Sequence, residues 1–139
     1  MHAAAFSCGK DRDPGEMRAA IATANPGSVV QAVRGFSGSN ELLVEMLAAQ
    51  TLNAEASGRP LARKPEIDLL LRLAGTTQIA KAMGTMGVKA GAPFLLVVAS
   101  RAPIRKTKEL EKIELPRRPL TRSELAKIEK SALLDALRA

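Results

Sequence analysis

The polar residues with the clearest chemical potential cluster around one short break between two amphipathic segments. Arg72 precedes the break by about one helical turn, Gly75-Thr76-Thr77 forms it, and Gln78 follows it. A guanidinium can bind a phosphate in a bidentate manner or stack on a base. A loop that leads into a helix offers backbone N–H groups to a phosphate or a ribose. These residue types favour noncovalent recognition over covalent catalysis.

Two amphipathic helices must position this break. Apolar residues at positions i, i+3, i+4 and i+7 predict one helix on each side: Ile67, Leu70, Leu71 and Ala74 before the break, and Ile79, Ala82, Met83 and Met86 after it. Met83 and Met86 are expected in the core rather than in a partner groove. Gly75 is expected to end the first helix and Thr76 to cap the second. The four-residue spacing of Asp68 and Arg72 predicts an exposed ion pair, worth about 0.3–0.5 kcal/mol.

The chain contains no recognisable catalytic motif. A P-loop needs a lysine and a Ser or Thr after its glycines, and Gly35 and Gly38 are not followed by that lysine. No G-x-S-x-G elbow is present. The single cysteine, Cys8, excludes an internal disulfide, and the single histidine, His2, argues against a metal site or a triad. We therefore expect no enzyme activity, no metal and no cofactor.

Positive charge is the strongest signal in the composition. The chain has 21 Lys and Arg against 14 Asp and Glu, a net charge of +7. From Arg101 onward, eleven basic residues stand against six acidic ones. This excess favours an acidic partner, nucleic acid first, although a basic surface that serves only solubility would have the same composition. Aromatic residues make up only 2%, which argues against RNA-binding modules that stack bases on aromatic platforms.

The element pattern predicts one α+β (mixed α/β) domain over residues 1–139, in which several helices cover a small sheet of three or four strands. Residues 3–8, 28–33 and 94–99 have strand character, and 113–115 are a fourth candidate. The third run has no polar alternation, which predicts a strand buried on both faces. Ser39 or Asn40 is expected to cap the helix after the second strand, and Thr121 with Glu124 forms a capping box. Without a signal peptide or a membrane-spanning run, we expect a cytoplasmic protein.

The central residues also resemble a known family. The pattern Glu66-Ile67-x-Leu69-Leu70-x-Arg72-x-Ala74-Gly75-x-Thr77-Gln78-Ile79-x-x-Ala82, followed by Gly87-Val88-Lys89-x-Gly91, is similar to the Cgi/TPRKB family, whose members are small subunits of the KEOPS (EKC) complex. The order of elements and the ending Leu133-Leu134-Asp135-Ala136-Leu137 are similar too. The likeness spans most of the chain, and its specific part is the centre. Asn40 or Glu41 stands where the family often has a histidine.

The resemblance implies a non-catalytic role. KEOPS makes threonylcarbamoyladenosine beside the anticodon of tRNA, and members of this family bind its small atypical kinase or ATPase subunit. They also help to recruit tRNA, in archaeal members by holding the single-stranded CCA end. The implied partners are therefore that kinase subunit and tRNA, without a membrane and without a small-molecule substrate. The candidate RNA-binding residues are Lys64, Arg72, Gly75, Thr76, Thr77, Gln78 and Lys89.

Each of these candidates has a structural alternative. Arg72 could simply pair with Asp68, and Gly75 and Thr76 could serve only as cap residues. Gln78 could read a base edge, or it could be an ordinary surface residue or a partner of the backbone. Lys89 could neutralise a phosphate, but Lys64 and Lys89, taken singly, are expected to be solvated charges.

Two other functions stay open. One is a stand-alone basic RNA-binding domain of another pathway, and the other is a pure protein scaffold without tRNA contact. For the kinase subunit, the two leucine-rich helices that start near Asn40 and Thr121 are the candidate surfaces, because an exposed apolar patch on either helix would mark an interface.

Overall fold

The computed structural model describes residues 1–35 and 40–138. Its elements are, in chain order, strand β1 (His2–Cys8), helix α1 (Pro14–Ala24), β2 (Val29–Arg34), α2 (Glu41–Ala56), α3 (Pro65–Ala74), α4 (Ile79–Met86), β3 (Phe94–Ser100), α5 (Lys108–Ile113) and α6 (Arg122–Arg138). Within the described residues, six helices accompany one three-stranded sheet. The mixed α+β class predicted from the sequence is confirmed.

The third strand, β3, lies at the centre of the sheet. The strand order is β1-β3-β2 and both pairings are antiparallel, so that Phe94 pairs with Cys8 on one side and with Arg34 on the other. All seven residues of β3 are buried, as its sequence predicts. Unbroken apolar runs of this kind are usual for parallel strands. The antiparallel strand β3 also has an unbroken apolar run, because helices cover both faces of the sheet and bury side chains on each face.

The fourth strand candidate, residues 113–115, forms only an isolated bridge. Glu114 pairs with Phe6, and the N–H of Leu115 donates to the carbonyl of Ala5 at 2.8 Å. Helix α5 runs up to this bridge, and Pro116 follows it without an N–H to donate. A ladder therefore cannot extend in either direction.

Alternating side chains of the sheet build two apolar cores. Ala5, Val33 and Val97 belong to the core that the sheet forms with α2, α3, α4 and α6. Phe6 and Leu96 belong to the opposite core, which includes residues of α1 and α5. The break between α3 and α4 therefore lies in the first of these helical layers.

The starts of α2 and α6 follow their capping signals. Asn40 Oδ1 accepts a hydrogen bond from the N–H of Leu42 at 2.9 Å, whereas Ser39, the other expected cap, lies outside the described residues. The capping box forms in both directions. The N–H of Glu124 donates to Thr121 Oγ1 at 3.2 Å, and the N–H of Thr121 donates to Glu124 Oε1 at 3.0 Å. Caps of this type stabilise a helix by about 0.5–2 kcal/mol.

Candidate nucleic-acid interface

The break between α3 and α4 is a tight turn stabilised by backbone hydrogen bonds. Gly75 has φ 71° and ψ 37°, the left-handed conformation that its predicted role as a helix end requires. The N–H groups of Gly75 and Thr76 both donate to the carbonyl of Leu71, at 2.8 and 3.2 Å. These two N–H groups are therefore used within the turn. Thr77 and Gln78 follow as exposed residues.

Thr76 is not the cap of α4, so this prediction is wrong. Gln78 occupies the N-cap position, and its side chain makes no capping hydrogen bond. Thr76 Oγ1 instead accepts a hydrogen bond from the N–H of Gln78 at 3.1 Å, which stabilises the turn one step before the helix. The first N–H groups of α4 therefore belong to residues 79–81. The start of a helix carries a partial positive charge that favours anions.

Arg72 lies in the interior, with a relative exposure of 0%. Its Nε donates to Asp68 Oδ1 at 2.7 Å, and its Nη2 donates to Asp135 Oδ1 at 2.8 Å. Nη1 also donates to Asp135 Oδ2 and to the carbonyl of Ser131, and Nη2 to Asp68 Oδ2. All five N–H groups of the guanidinium are thus engaged.

Two predictions for Arg72 need correction. The ion pair with Asp68 is not exposed, because both side chains are buried. The predicted direct contact of Arg72 with RNA does not fit this structure either, since every donor of its guanidinium already has an acceptor inside the protein. The sequence suggested an exposed pair because a four-residue spacing looks the same on a buried and on an exposed helix face.

The Arg72 network joins α3 to α6 and to the loop before α3. Asp68 Oδ2 accepts from the N–H of Leu61 at 2.7 Å, and Asp135 belongs to α6. Burial alone lowers the pKa of Arg72, but the hydrogen bonds and charges of Asp135 and Asp68 outweigh it and the net pKa is raised. The guanidinium therefore stays charged. A buried charge with this many partners fixes the orientation of α3 beneath the turn.

Lys130 of α6 is a basic residue at the turn that the sequence did not reveal. A Cβ built on Gly75 would lie 3.2 Å from both Cδ and Cε of Lys130 and 3.4 Å from its Nζ. The lysine is exposed, so its ammonium group stands in solvent beside the turn. Nothing local in the sequence signals this proximity, because it depends on how α6 packs against α3.

Lys64 and Lys89 lie away from the turn. Lys64 precedes α3, whose ten residues, about 15 Å of helix, separate it from Gly75. Lys89 follows α4, whose eight residues span about 12 Å beyond Gln78. Both lysines are exposed. The structure thus groups residues 75–78 with Lys130 and leaves the other two lysines at the far ends of the helices.

The apolar stripe of α4 is split between core and surface. Ala82 and Met86 are buried, whereas Ile79 is 52% and Met83 is 51% exposed. The prediction that Met83 lies in the core is therefore wrong. Among the described elements α4 contacts only α3 and β2, which cover one side of it. The two exposed side chains lie one turn apart, next to the start of α4.

Arg34, at the end of β2, anchors the opposite end of α4. Its Nη2 donates to the carbonyl of Gly84 at 3.2 Å, and its Nε donates to the carbonyl of Gly87 at 3.3 Å. A guanidinium at this position satisfies terminal carbonyls and complements the negative end of the helix. Helix α4 is thus fixed at its end, while its start is open to a ligand.

Within residues 1–35 and 40–138, no group of three or more His, Cys, Asp and Glu side chains could hold a metal ion. None of the helices described there is long and apolar enough to cross a membrane. Comparison of the chain with protein-family models finds no match, and comparison with curated proteins finds none. The resemblance to the Cgi/TPRKB family therefore rests on the sequence motif alone.

Proposed function

We propose that this chain is a non-catalytic KEOPS subunit that binds the small atypical kinase or ATPase subunit and helps to hold the 3′ CCA end of tRNA. The proposal starts from the resemblance of its central motif to the Cgi/TPRKB family, and it implies a cytoplasmic location. Its main support is the way this motif divides between core and surface. Leu69, Leu70 and Arg72 are buried, whereas Thr77 and Gln78 are exposed at the turn. The buried residues of the motif are explained by their part in the folded core. The exposed residues at the turn have no such part and are available to a ligand.

The chemistry around the turn suits single-stranded RNA. Lys130 offers an ammonium group to a phosphate, and the start of α4 offers backbone N–H groups and a positive dipole end. The Gln78 amide can donate to and accept from a base edge. Ile79 and Met83 add exposed apolar surface against which a base can pack. In this proposal Arg72 is a positioning residue, which holds α3 in place without touching RNA.

The kinase subunit would bind the pair of helices α2 and α6. Helices α2 and α6 begin at the two positions that the sequence singled out, and they pack against each other. Met46 of α2 and Leu125 and Leu133 of α6 are exposed, the last by 63%. Exposed apolar side chains on adjacent helices are typical of a protein interface.

Binding of the purified chain to tRNA tests the proposal. The measurement compares intact tRNA with tRNA that lacks its terminal CCA, at two salt concentrations. We expect weaker binding after trimming, because the turn would lose the unpaired bases it contacts. Gln78→Ala and Lys130→Ala should each lower affinity for intact tRNA, by about tenfold if each removes one contact worth 1–2 kcal/mol.

Lys112→Ala is the matched control, because this exposed lysine lies on α5, across the sheet from the turn. It should leave the difference between intact and trimmed tRNA unchanged. Equal binding to both RNAs, lost at higher salt, would contradict recognition of the 3′ end. A stand-alone RNA-binding domain would bind tRNA without co-purifying with a small kinase, and a scaffold would co-purify with it without binding tRNA.

A further inference from the structure

A pair of carboxyl groups meets where α2 begins. Glu41 is the first residue of α2, and Glu114 directly follows α5. Glu41 Oε2 is shielded from solvent and has no hydrogen-bond donor among the described residues. The Glu114 carboxyl group is its neighbour, because the N–H of Glu41 donates to the carbonyl of Pro116, two residues after Glu114. Glu114 Oε1 accepts from Lys106 Nζ at 2.7 Å. Two carboxylates are both acceptors, so a hydrogen bond between them needs a shared proton.

The two nearby basic side chains, Lys106 and Arg117, form ion pairs with carboxylates other than Glu41. Lys106 binds Glu114, and Arg117 binds Glu45 at 3.1 Å. These four side chains lie around Glu41. A cavity of about 310 Å³ is lined by Glu41, Glu45, Lys106 and Arg117. Each cation is matched by one carboxylate, so an ionised Glu41 adds one unbalanced negative charge.

Met1, which precedes β1, and His2, its first residue, also line this cavity. Because a histidine ordinarily titrates in the same pH range as a strongly shifted glutamate, His2 must be controlled for in any pH experiment on this cluster.

The segment that carries Glu114 is attached to the start of α2 by backbone contacts. The N–H of Glu41 donates to the carbonyl of Pro116 at 3.2 Å, and Asn40 Nδ2 donates to the carbonyl of Arg118 at 2.9 Å. This segment leads into the capping box of α6. The carboxyl pair therefore lies at the junction that positions the start of α6 against α2.

We propose that Glu41 and Glu114 share one proton and form a pH-sensitive latch that fastens the segment before α6 to the start of α2. With the proton in place, the two carboxyl groups are joined by a hydrogen bond. When the proton is lost, two carboxylates face each other, and the junction loosens through their repulsion. The latch is independent of the proposed tRNA function.

The same geometry sets the pKa values of both carboxyl groups. Burial raises the pKa of Glu41 to about 7, and the hydrogen bond and charge of Glu114 add to the rise. Burial also acts to raise the pKa of Glu114, but its hydrogen bonds with Glu41 and Lys106 outweigh this and lower it. A raised carboxyl pKa contributes stability that is full below the ordinary value of 4.5 and is lost as pH rises through about 7. The folded protein should therefore become less stable between these two pH values.

Thermal unfolding of the full chain, followed from about pH 5 to pH 9, tests the latch. For the unsubstituted protein we expect the midpoint to fall from about pH 5 to about pH 7 and to level off above that range. Glu41→Gln should flatten this dependence, because its amide donates to Glu114 at every pH. Glu55→Gln, at an exposed position near the far end of the same helix, and His2→Gln should retain the slope. A Glu41→Gln profile as steep as that of the unsubstituted protein, or a slope lost with His2→Gln, would overturn the proposal.

A second measurement needs no substitution. The side-chain carboxyl ¹³C resonance of Glu41 is followed by NMR through the same pH range in the folded protein. The latch requires a midpoint near pH 7. A midpoint at the ordinary glutamate value would show that no proton is shared.

Discussion

At the scale of single residues, the most consequential side chain is the buried guanidinium of Arg72. It lies between Asp68 of its own helix and Asp135 of α6, so one cation holds carboxylates from two elements. Buried ion pairs are weak evidence for net stability, because desolvation offsets most of their attraction. Removing only one partner of such a pair nevertheless destabilises the folded protein, because the other charge is left buried and unpaired.

We therefore expect Arg72→Ala to destabilise the protein by about 3–5 kcal/mol. Urea unfolding monitored by circular dichroism measures this. Arg72→Lys should recover little of the loss, because an ammonium group cannot make two bidentate contacts at once. Lys89→Ala, at an exposed lysine, should change stability by less than about 0.5 kcal/mol. If Arg72→Ala instead weakened tRNA binding at full stability, the arginine would be a contact residue.

The Arg72 network shows which part of the site the sequence could not predict. The spacing of Asp68 and Arg72 correctly indicated an ion pair, yet burial of the pair depends on the packing of α6. Asp135 was already part of the sequence resemblance, and only the fold connects it with Arg72. Lys130 had no signal of any kind, because its proximity to Gly75 is entirely tertiary.

At the scale of elements, local signals predicted most of the structure. Apolar periodicity gave α3 and α4, and the capping residues Asn40 and Thr121 gave the starts of α2 and α6, because both signals act within a few residues. The predictions that failed depend on longer-range packing. Met83 is exposed because α4 is covered on one side only. Thr76 does not cap α4 because the helix begins at Ile79, so that Thr76 Oγ1 accepts from the N–H of Gln78 before the helix starts.

The turn between α3 and α4 offers a matched pair of glycine substitutions. Gly75→Ala should destabilise the protein by about 1–2 kcal/mol, because φ 71° is unfavourable for a residue with a Cβ. Gly84→Ala, inside α4 with no atom within 4 Å of the added Cβ, should stabilise it by about 0.5–1 kcal/mol. Denaturant midpoints measure both. Equal effects of the two substitutions would contradict the left-handed conformation at Gly75.

At the scale of the whole molecule, the question is whether its positive charge serves one site or the entire surface. The net charge of +7 attracts any nucleic acid, and attraction through phosphates weakens steeply with salt. Lys64 and Lys89 are exposed but lie about 15 and 12 Å of helix away from the turn. In the proposed function they would therefore strengthen tRNA binding without reading the 3′ end, whereas Gln78 lies at the turn that is proposed to read it.

This separation predicts two different responses in tRNA binding. The double substitution Lys64→Ala and Lys89→Ala should weaken binding of intact and CCA-trimmed tRNA by the same factor. It should also reduce the slope of log affinity against log salt by about 2, one per lost phosphate contact. Gln78→Ala should weaken intact tRNA only and leave the slope unchanged, because an uncharged amide releases no counterions. Titrations at several salt concentrations separate the two responses. If the double substitution removed the preference for intact tRNA, reading of the 3′ end would extend beyond the turn to the far ends of α3 and α4.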